Sequence, residues 1–124
     1  MNARVLVAPD GFKAVLDAPA VARAIAVGLR RAQPEAEVVL APMADGGEGT
    51  RDVLVQAAGG QLRRVCASGP LGAPVETTVG LIHGAAAAVI ELASVAGYAL
   101  IEEGKRDPLR TTTYGLGQVI RATL

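Results

Sequence analysis

Three polar segments of the chain carry the residue types that could do chemistry, and the first is Pro-Asp-Gly-Phe-Lys at residues 9–13. The ammonium of Lys13 can pair with a carboxylate or a phosphate. The carboxylate of Asp10 can hold a hydroxyl group or a metal-bound water. An Asx turn at Asp10 beside a solvated lysine explains the same residues, and the residues alone favour this simpler structure.

The second polar segment is Asp-Gly-Gly-Glu-Gly-Thr at residues 45–50. Its three glycines expose backbone N–H groups, which bind anions where a helix begins. Asp45 and Glu48 can act as a general base for a hydroxyl or as oxygen ligands of Mg²⁺. The alternative is a capping box, in which the two carboxylates only cap the helix. Because glycine costs a helix about 0.8–1 kcal/mol relative to alanine, capping alone does not explain three glycines, and the pattern favours function.

The third polar segment is Asp-Pro-Leu-Arg-Thr-Thr-Thr-Tyr-Gly-Leu-Gly at residues 107–117. Threonine hydroxyls and glycine amides at the start of a helix can again hold an anion, with Arg110 close by in the sequence. A threonine N-cap that follows a polar loop accounts for the segment equally well. The two interpretations stay open at this point.

The remaining residues offer no further motif for a metal or a nucleotide. His83 precedes Gly84, and no second His or Cys stands at metal-binding spacing, so His83 is predicted to be a turn residue. Cys66 lies in a strand-like run without a histidine nearby and is predicted to be a core residue. The sequence contains no G-x-x-x-x-G-K-[ST], and no G-x-G-x-x-G follows its first strand.

The first sixty residues predict a parallel β-α-β unit followed by a second helix. Residues 4–8 and 37–41 are aliphatic runs typical of buried parallel strands. Between them, Asp17 is predicted to cap a helix whose apolar face comprises Val21, Ile25, Gly28, Leu29 and Ala32. The polar segments at 9–13 and 45–50 follow the two strands, where ligands bind in open α/β sheets. The second helix carries Val53, Leu54 and Ala57 and is predicted to stop at Gly59 and Gly60.

The pattern changes after residue 60. Residues 61–68, 76–82 and 87–92 are strand-like and are separated by turn residues, which predicts an antiparallel meander. This part is either a subdomain or an extension of the sheet. A last helix follows, with one face formed by Leu116, Val119, Ile120 and Thr123. Because the chain stops inside this helix at Leu124, we expect the sequence to be cut from a longer protein.

These elements predict an α/β fold with a Rossmann-like βαβ start and an appended, mainly antiparallel strand segment. We expect three parts: a βαβα portion at 1–60, a strand-rich segment at 61–110 and the start of a further helix at 111–124. Lys plus Arg and Asp plus Glu are equal at 12 each, which argues against nucleic acid or an anionic membrane as partner. The single cysteine fits a reducing cytoplasm, and the sequence has no run of about 18 apolar residues.

Four blocks, at residues 8–13, 42–50, 69–72 and 107–115, resemble the successive N-terminal blocks of the class I glycerate kinases in order and spacing. The family phosphorylates D-glycerate with ATP and Mg²⁺, giving 2- or 3-phosphoglycerate, in a cleft between two α/β domains. The resemblance implies a catalytic role for Asp45, Lys13 and Asp10. It implies that the substrate is bound by Gly46, Gly47, Glu48, Gly49, Thr50, Thr111, Thr112, Thr113 and Tyr114.

By the same resemblance, Lys13 would bind the glycerate carboxylate or the transferred phosphate, and Asp45 would orient the attacking hydroxyl or a Mg²⁺-bound water. The sequence departs from the family, which usually has Ser at Gly11, Gly-Ser at residues 14–15 and Thr at Leu116. Three hypotheses therefore stay open: a piece of a glycerate kinase that is inactive alone, a non-catalytic anion-binding or interaction module, or a kinase for another small hydroxy acid. The sequence does not predict the oligomeric state.

Overall fold

Two sheets of different kinds organise the chain, of which the computed structural model describes residues 3–12 and 15–124. The residues form two compact units, Met1–Val53 and Leu54–Leu124. The sheet of the first unit is parallel and that of the second is antiparallel. The predicted α/β class is therefore confirmed.

The first unit is a β-α-β unit. Strand β1 (Arg4–Val7) and strand β2 (Glu37–Leu40) are parallel, in a register that pairs Arg4 with Glu37 and Val7 with Leu40. Helix α1 (Ala18–Ala32) connects them. The pairing continues past the strands, since the Ala41 N–H donates to the Val7 carbonyl at 2.8 Å. The predicted parallel β-α-β unit is confirmed.

Helix α1 begins as predicted, but it buries a different face. The Asp17 carboxylate accepts a hydrogen bond from the Ala20 N–H at 2.6 Å, which confirms the N-cap. The buried residues are Ala18, Val21, Ala22 and Ala26. The predicted face was wrong at Ile25, which is 42% exposed, and at Gly28 and Ala32, which are also exposed. The helix packs on β1 and β2 mainly through small alanine side chains instead.

Helix α2 (Thr50–Ala57) follows the glycine-rich segment and ends where the sequence predicted. Gly59 has a φ of 60°, and the Gly60 N–H donates to the Val55 carbonyl at 2.8 Å, as in a Schellman motif. Val55 is the buried residue of this helix, whereas Leu54 and Ala57 are exposed. The predicted apolar face of α2 was therefore wrong.

The second unit contains the predicted antiparallel meander. Its strands are β3 (Gln61–Ser68), β4 (Pro74–Ile82) and β5 (Ala87–Val89), in that order across the sheet. His83 lies in the turn between β4 and β5 with a φ of 53°, which confirms it as a turn residue. The third strand is shorter than predicted and ends at Val89.

Helices cover one face of this sheet. The short helix α3 (Ala93–Ala96) contacts β4, and helix α4 (Tyr114–Thr123) packs on β3 and α3. Turns of 3₁₀ helix at Tyr98–Leu100 and Glu103–Lys105 lie between them. The buried cluster comprises Ala67, Val79, Val95 and Val119, with Val65, Val75, Leu81 and Ile90 packed against it.

Cys66 was predicted to lie in the core, and that prediction was wrong. Its side chain is exposed. Because side chains alternate along a strand, Val65 and Ala67 face the core cluster and Cys66 points to the opposite face of β3. Within the described residues, no helix is both long and apolar enough to cross a membrane.

Candidate functional site

The loops that follow β1 and β2 start side by side in the first unit. The Met43 N–H donates to the Pro9 carbonyl at 2.9 Å, so the segment containing Asp10 runs beside the segment that leads to Asp45. Asp10 is exposed, and its Oδ1 accepts a hydrogen bond from the Gly11 N–H at 2.7 Å. Lys13, the cation predicted for this site, lies outside the described residues.

The loop after β1 is tight at Gly11. Phe12 and Leu16 pair across it, with the Phe12 N–H donating to the Leu16 carbonyl at 2.8 Å. A Cβ atom at position 11 would lie 3.1 Å from the Leu16 carbonyl oxygen and 3.3 Å from the Ala18 nitrogen. A serine at this position would require a small shift of that backbone, so Gly11 suits the loop that this chain forms.

The glycine-rich segment at 45–50 is folded by its own side chains. Asp45 Oδ1 accepts a hydrogen bond from the Gly47 N–H at 2.9 Å, and Thr50 Oγ1 accepts one from the Gly46 N–H at 3.1 Å. Gly46 and Gly49 have φ angles of 99° and 89°, which side chains with a Cβ rarely adopt. The glycines are therefore needed for the shape of the loop.

The capping-box alternative for this segment does not form. Helix α2 begins at Thr50, so both Asp45 and Glu48 precede the helix. The Asp45 carboxylate bonds to an amide of the loop itself, not to the N–H of Glu48 three residues on. Both side chains are exposed and can be reached by a ligand.

No cluster of three or more His, Cys, Asp or Glu residues that could hold a metal occurs in the part of the chain that the structure describes. Mg²⁺ in phosphoryl-transfer sites needs fewer protein ligands, because it is held through one or two carboxylates together with water and substrate phosphates. Asp45 and Glu48, two exposed carboxylates on one short loop, meet that requirement.

A pocket in the second unit is lined by the predicted threonines. It has a volume of about 480 Å³ and is bounded by Pro70, Ala96, Tyr98, Ile101, Thr111, Thr112 and Thr113. The Thr112 N–H donates to the Pro70 carbonyl at 3.0 Å. The blocks at 69–72 and 107–115, which are far apart in the sequence, therefore meet at this pocket.

The hydroxyl groups of two of the threonines bond to the backbone around the start of α4, and these bonds show whether a threonine caps the helix. Thr113 precedes the helix but makes no side-chain capping bond. Thr112 Oγ1 instead accepts a hydrogen bond from the Tyr114 N–H at 3.1 Å, and Thr111 Oγ1 donates to the Pro108 carbonyl at 3.5 Å. Tyr114 is exposed and does not line the pocket.

The end of β3 holds the start of α4 in place. A Cβ atom on Gly115 would lie 1.8 Å from the Ser68 carbonyl oxygen, so the helix backbone passes directly over the strand. Gln118 Oε1 accepts a hydrogen bond from the Ser68 N–H at 2.7 Å. These contacts fix the threonine side of the pocket to the sheet.

Tyr98 and Arg106 belong to the pocket region, although the sequence did not single them out. Tyr98 lines the pocket. The Arg106 guanidinium lies 3.7 Å from the centroid of the Tyr98 ring, and its Nη1 donates to the Tyr98 hydroxyl at 2.8 Å. The scarcity of aromatic residues was a usable signal for Tyr98, since the chain has two tyrosines and one phenylalanine.

A parallel β-α-β unit with polar loops after both of its strands, together with a threonine-lined pocket in the second unit, makes this an α/β protein. The chain belongs to the glycerate kinase family. The model described as the Glycerate kinase family matches residues 5–124, which is nearly the whole chain.

Individual relatives agree with the family match. The chain is 47% identical over 94% of its length to a glycerate kinase of Halalkalibacterium halodurans, of which it covers 30%. It is 40% identical to the glycerate 2-kinase of Escherichia coli, covering 98% of this chain and 32% of that protein. A crystal structure assigned to glycerate kinase 2 from Salmonella typhimurium LT2 superposes with a TM-score of 0.79 at 40% identity, over 98% of this chain and 33% of that one. The chain thus spans about a third of the length of the relatives it matches.

Proposed function

We propose that the protein is a glycerate kinase, which transfers the terminal phosphoryl group of ATP to a hydroxyl of D-glycerate and gives 2- or 3-phosphoglycerate. The observation that carries this proposal is the family match over residues 5–124, supported by relatives named glycerate kinase at 40–47% identity. The proposal concerns the complete protein that contains this chain. The single cysteine supports a cytoplasmic location as part of it.

In this proposal the first unit supplies the catalytic residues. Phosphoryl transfer depends mostly on positioning and on neutralising charge. Asp45 orients the attacking hydroxyl and accepts its proton, and the glycine-rich loop at 46–50 binds the substrate beside it. Asp10 acts from the neighbouring loop, which the bond between Met43 and Pro9 supports. Lys13 binds the glycerate carboxylate or the transferred phosphate.

In the second unit, Thr111, Thr112, Thr113 and Tyr114 are proposed to bind the substrate. The pocket of about 480 Å³ supports this role for the three threonines, which line it. Glu48, on the same loop as Asp45, is the residue that would hold Mg²⁺, which would neutralise phosphate charge there. ATP and D-glycerate are the small-molecule partners in this proposal.

A coupled assay of ADP release tests the proposal on the complete gene product that contains these 124 residues. D-glycerate, glycolate, lactate and tartrate are compared as acceptors at matched concentrations. Strong preference for D-glycerate supports a glycerate kinase. Preference for another acid would identify that acid as the substrate. If no acid causes ADP release, the kinase proposal is contradicted and the non-catalytic anion-binding module remains.

Asp45→Asn tests the catalytic residue directly. The amide keeps an oxygen that can accept the Gly47 N–H bond but does not accept a proton, so kcat is expected to fall about 10²- to 10⁴-fold. Asp52→Asn is the matched control, because Asp52 is a half-exposed carboxylate on α2 that pairs with Arg51. Equal loss of kcat in both variants would contradict the role of Asp45.

A kinase for another small hydroxy acid is the second candidate, and the geometry at Gly11 favours it. The loop is built around Gly11, where the family usually has Ser, and a Cβ atom there would be crowded. The acceptor comparison in the ADP-release assay separates the two candidates.

A further inference from the structure

The pair formed by Tyr98 and Arg106 has no role in the function described so far. We infer that Tyr98 is a substrate-contacting residue that donates a hydrogen bond to the carboxylate of the hydroxy acid, and that Arg106 is the residue that positions Tyr98. The inference rests on the proposed function, because it names a contact that the proposed substrate makes. It starts from the pocket, which Tyr98 shares with Thr111, Thr112 and Thr113.

Arg106 holds Tyr98 by several contacts at once. Its guanidinium stacks over the ring at 3.7 Å from the centroid, its Nη1 donates to the Tyr98 hydroxyl at 2.8 Å, and its Nε donates to the Ile101 carbonyl at 3.2 Å. The last bond anchors the guanidinium to the backbone of another residue that lines the pocket. A planar guanidinium used in this way fixes both the ring and the hydroxyl.

The direction of the hydrogen bond decides what Tyr98 can bind. A guanidinium has only donors, so the Tyr98 oxygen must accept in its bond with Arg106. The phenolic proton of Tyr98 is then left to be donated elsewhere. Tyr98 is 69% exposed, so a ligand can reach it. The positive charge of Arg106, which donates to the Tyr98 oxygen, makes the Tyr98 hydroxyl a stronger donor, since neighbouring hydrogen bonds polarise one another.

The rest of the pocket favours an oxygen acceptor for that proton. Thr113, whose hydroxyl makes no capping bond, also lines the pocket, while Pro70, Ala96 and Ile101 supply apolar surface. A hydroxyl donor with a cationic side chain behind it suits a carboxylate, which only accepts. The phosphates of ATP share that chemistry, so the experiment must tell the two oxyanions apart.

Kinetics of Tyr98→Phe in the complete gene product test the inference. The change removes only the hydroxyl and keeps the ring under Arg106. We expect KM for D-glycerate to rise about tenfold or more, because hydrogen bonds to charged groups are among the stronger ones, while KM for ATP stays the same. Lys105→Met is the control for losing a positive charge from this segment, and it should leave KM for D-glycerate unchanged, because Lys105 pairs with Glu102 and not with Tyr98.

The positioning role of Arg106 is tested by combining variants. Arg106→Met should also raise KM for D-glycerate, and it should add little in the Tyr98→Phe background if it acts through Tyr98. Additive losses in the double variant would overturn the positioning role. Thermal unfolding of each variant shows whether a rise in KM comes from misfolding. If Arg106→Met does not fold, Tyr98→Phe still tests the contact with the substrate, because this change is nearly isosteric.

The remaining outcomes separate this inference from the proposed function. If the wild-type protein phosphorylates D-glycerate and Tyr98→Phe leaves its KM unchanged, the inference is wrong and the function stands. A rise in KM for ATP alone would assign the pocket to the nucleotide and would also overturn the inference. If D-glycerate is not phosphorylated, titration with glycolate, lactate and tartrate decides. Weaker binding of one of these acids to Tyr98→Phe supports the inference, and no binding of any to the wild-type protein overturns it.

Discussion

The two units of the chain support their polar segments in different ways. In the first unit, Asp10 and Asp45 lie on loops that are shaped by hydrogen bonds within the loops, after the two short strands that the structure describes there. In the second unit, the threonines at 111–113 are tied to Pro70, and the helix that follows them is packed onto β3. Apart from the Met43–Pro9 bond that joins the two loops, the segments of the first unit are held locally, whereas the threonine segment is held mainly by tertiary structure.

The difference also appears in the buried residues. The first unit buries mostly alanine and valine between α1 and its strands, while Leu6 in β1 remains 66% exposed. A two-stranded sheet is marginal without further packing. The largest fully buried side chains, Val79, Val95 and Val119, all lie in the second unit, whereas Ala22 and Ala26 are the fully buried side chains described in the first. We therefore expect substitutions in the second unit to disturb its polar segment through the fold, and those in the first unit to act locally.

Gly115→Ala should have the largest effect on stability. The new Cβ atom would lie 1.8 Å from the Ser68 carbonyl oxygen, and backbone atoms on both sides would have to move apart. We expect the free energy of unfolding to fall by about 3 kcal/mol or more, the upper end for an overpacked site. Chemical denaturation measures the loss.

Gly117→Ala is the matched control for that change. Gly117 lies in the same helix, and nothing lies within 4 Å of the Cβ atom that alanine would add. Because alanine is the better helix former, this variant should be more stable by about 0.5–1 kcal/mol. Similar losses at both glycines would show that α4 is not held against β3 as described.

Val119→Ala should have the next largest effect. Val119 is fully buried in the cluster between α4 and the sheet, so its loss removes two methyl groups and leaves a cavity. We expect a loss of about 2 kcal/mol in unfolding free energy. Val27→Ala is the control on α1, where the side chain is 47% exposed and the change should stay within about 0.5 kcal/mol. Equal effects would remove the contrast between the two units.

The sequence predicted the strands and turns of both units better than it predicted the buried faces. Local signals sufficed for the meander, since turn residues bound each strand and Gln61–Ser68 has the predicted limits. The helix faces were partly wrong because the buried side depends on what the helix packs against. The apolar periodicity of α1 predicted a buried face that contains Ile25, whereas the face that packs on the strands contains Ala22 and Ala26.

The residue types alone predicted the candidate site segment by segment, and only the resemblance implied one cleft for all of them. The structure adds the local neighbours of each segment. The glycine-rich loop was recognisable because three glycines near two carboxylates are unusual for a plain helix start. The pocket was not, since the contact between Thr112 and Pro70 and the stacking of Arg106 on Tyr98 depend on tertiary structure. The roles of Asp10, Lys13 and Asp45 stay predictions.

Asp17→Ala should have the smallest of these effects, and it tests the local character of the first unit. The Asp17 carboxylate accepts a hydrogen bond from the Ala20 N–H at 2.6 Å and caps α1, and it lies shortly after the loop that carries Asp10. Losing a cap of this kind costs about 1 kcal/mol. Asp17→Asn keeps a capping oxygen and should retain most of that free energy, because asparagine caps helices about as well as aspartate.

Urea denaturation of both variants, together with hydrogen exchange of the amides in the first turn of α1, measures the difference. Faster exchange confined to that turn in Asp17→Ala would mark the first unit as locally held. Faster exchange throughout α1, β1 and β2 would mean that the unit opens as one body, and the contrast with the second unit would then lie in the size of the core alone.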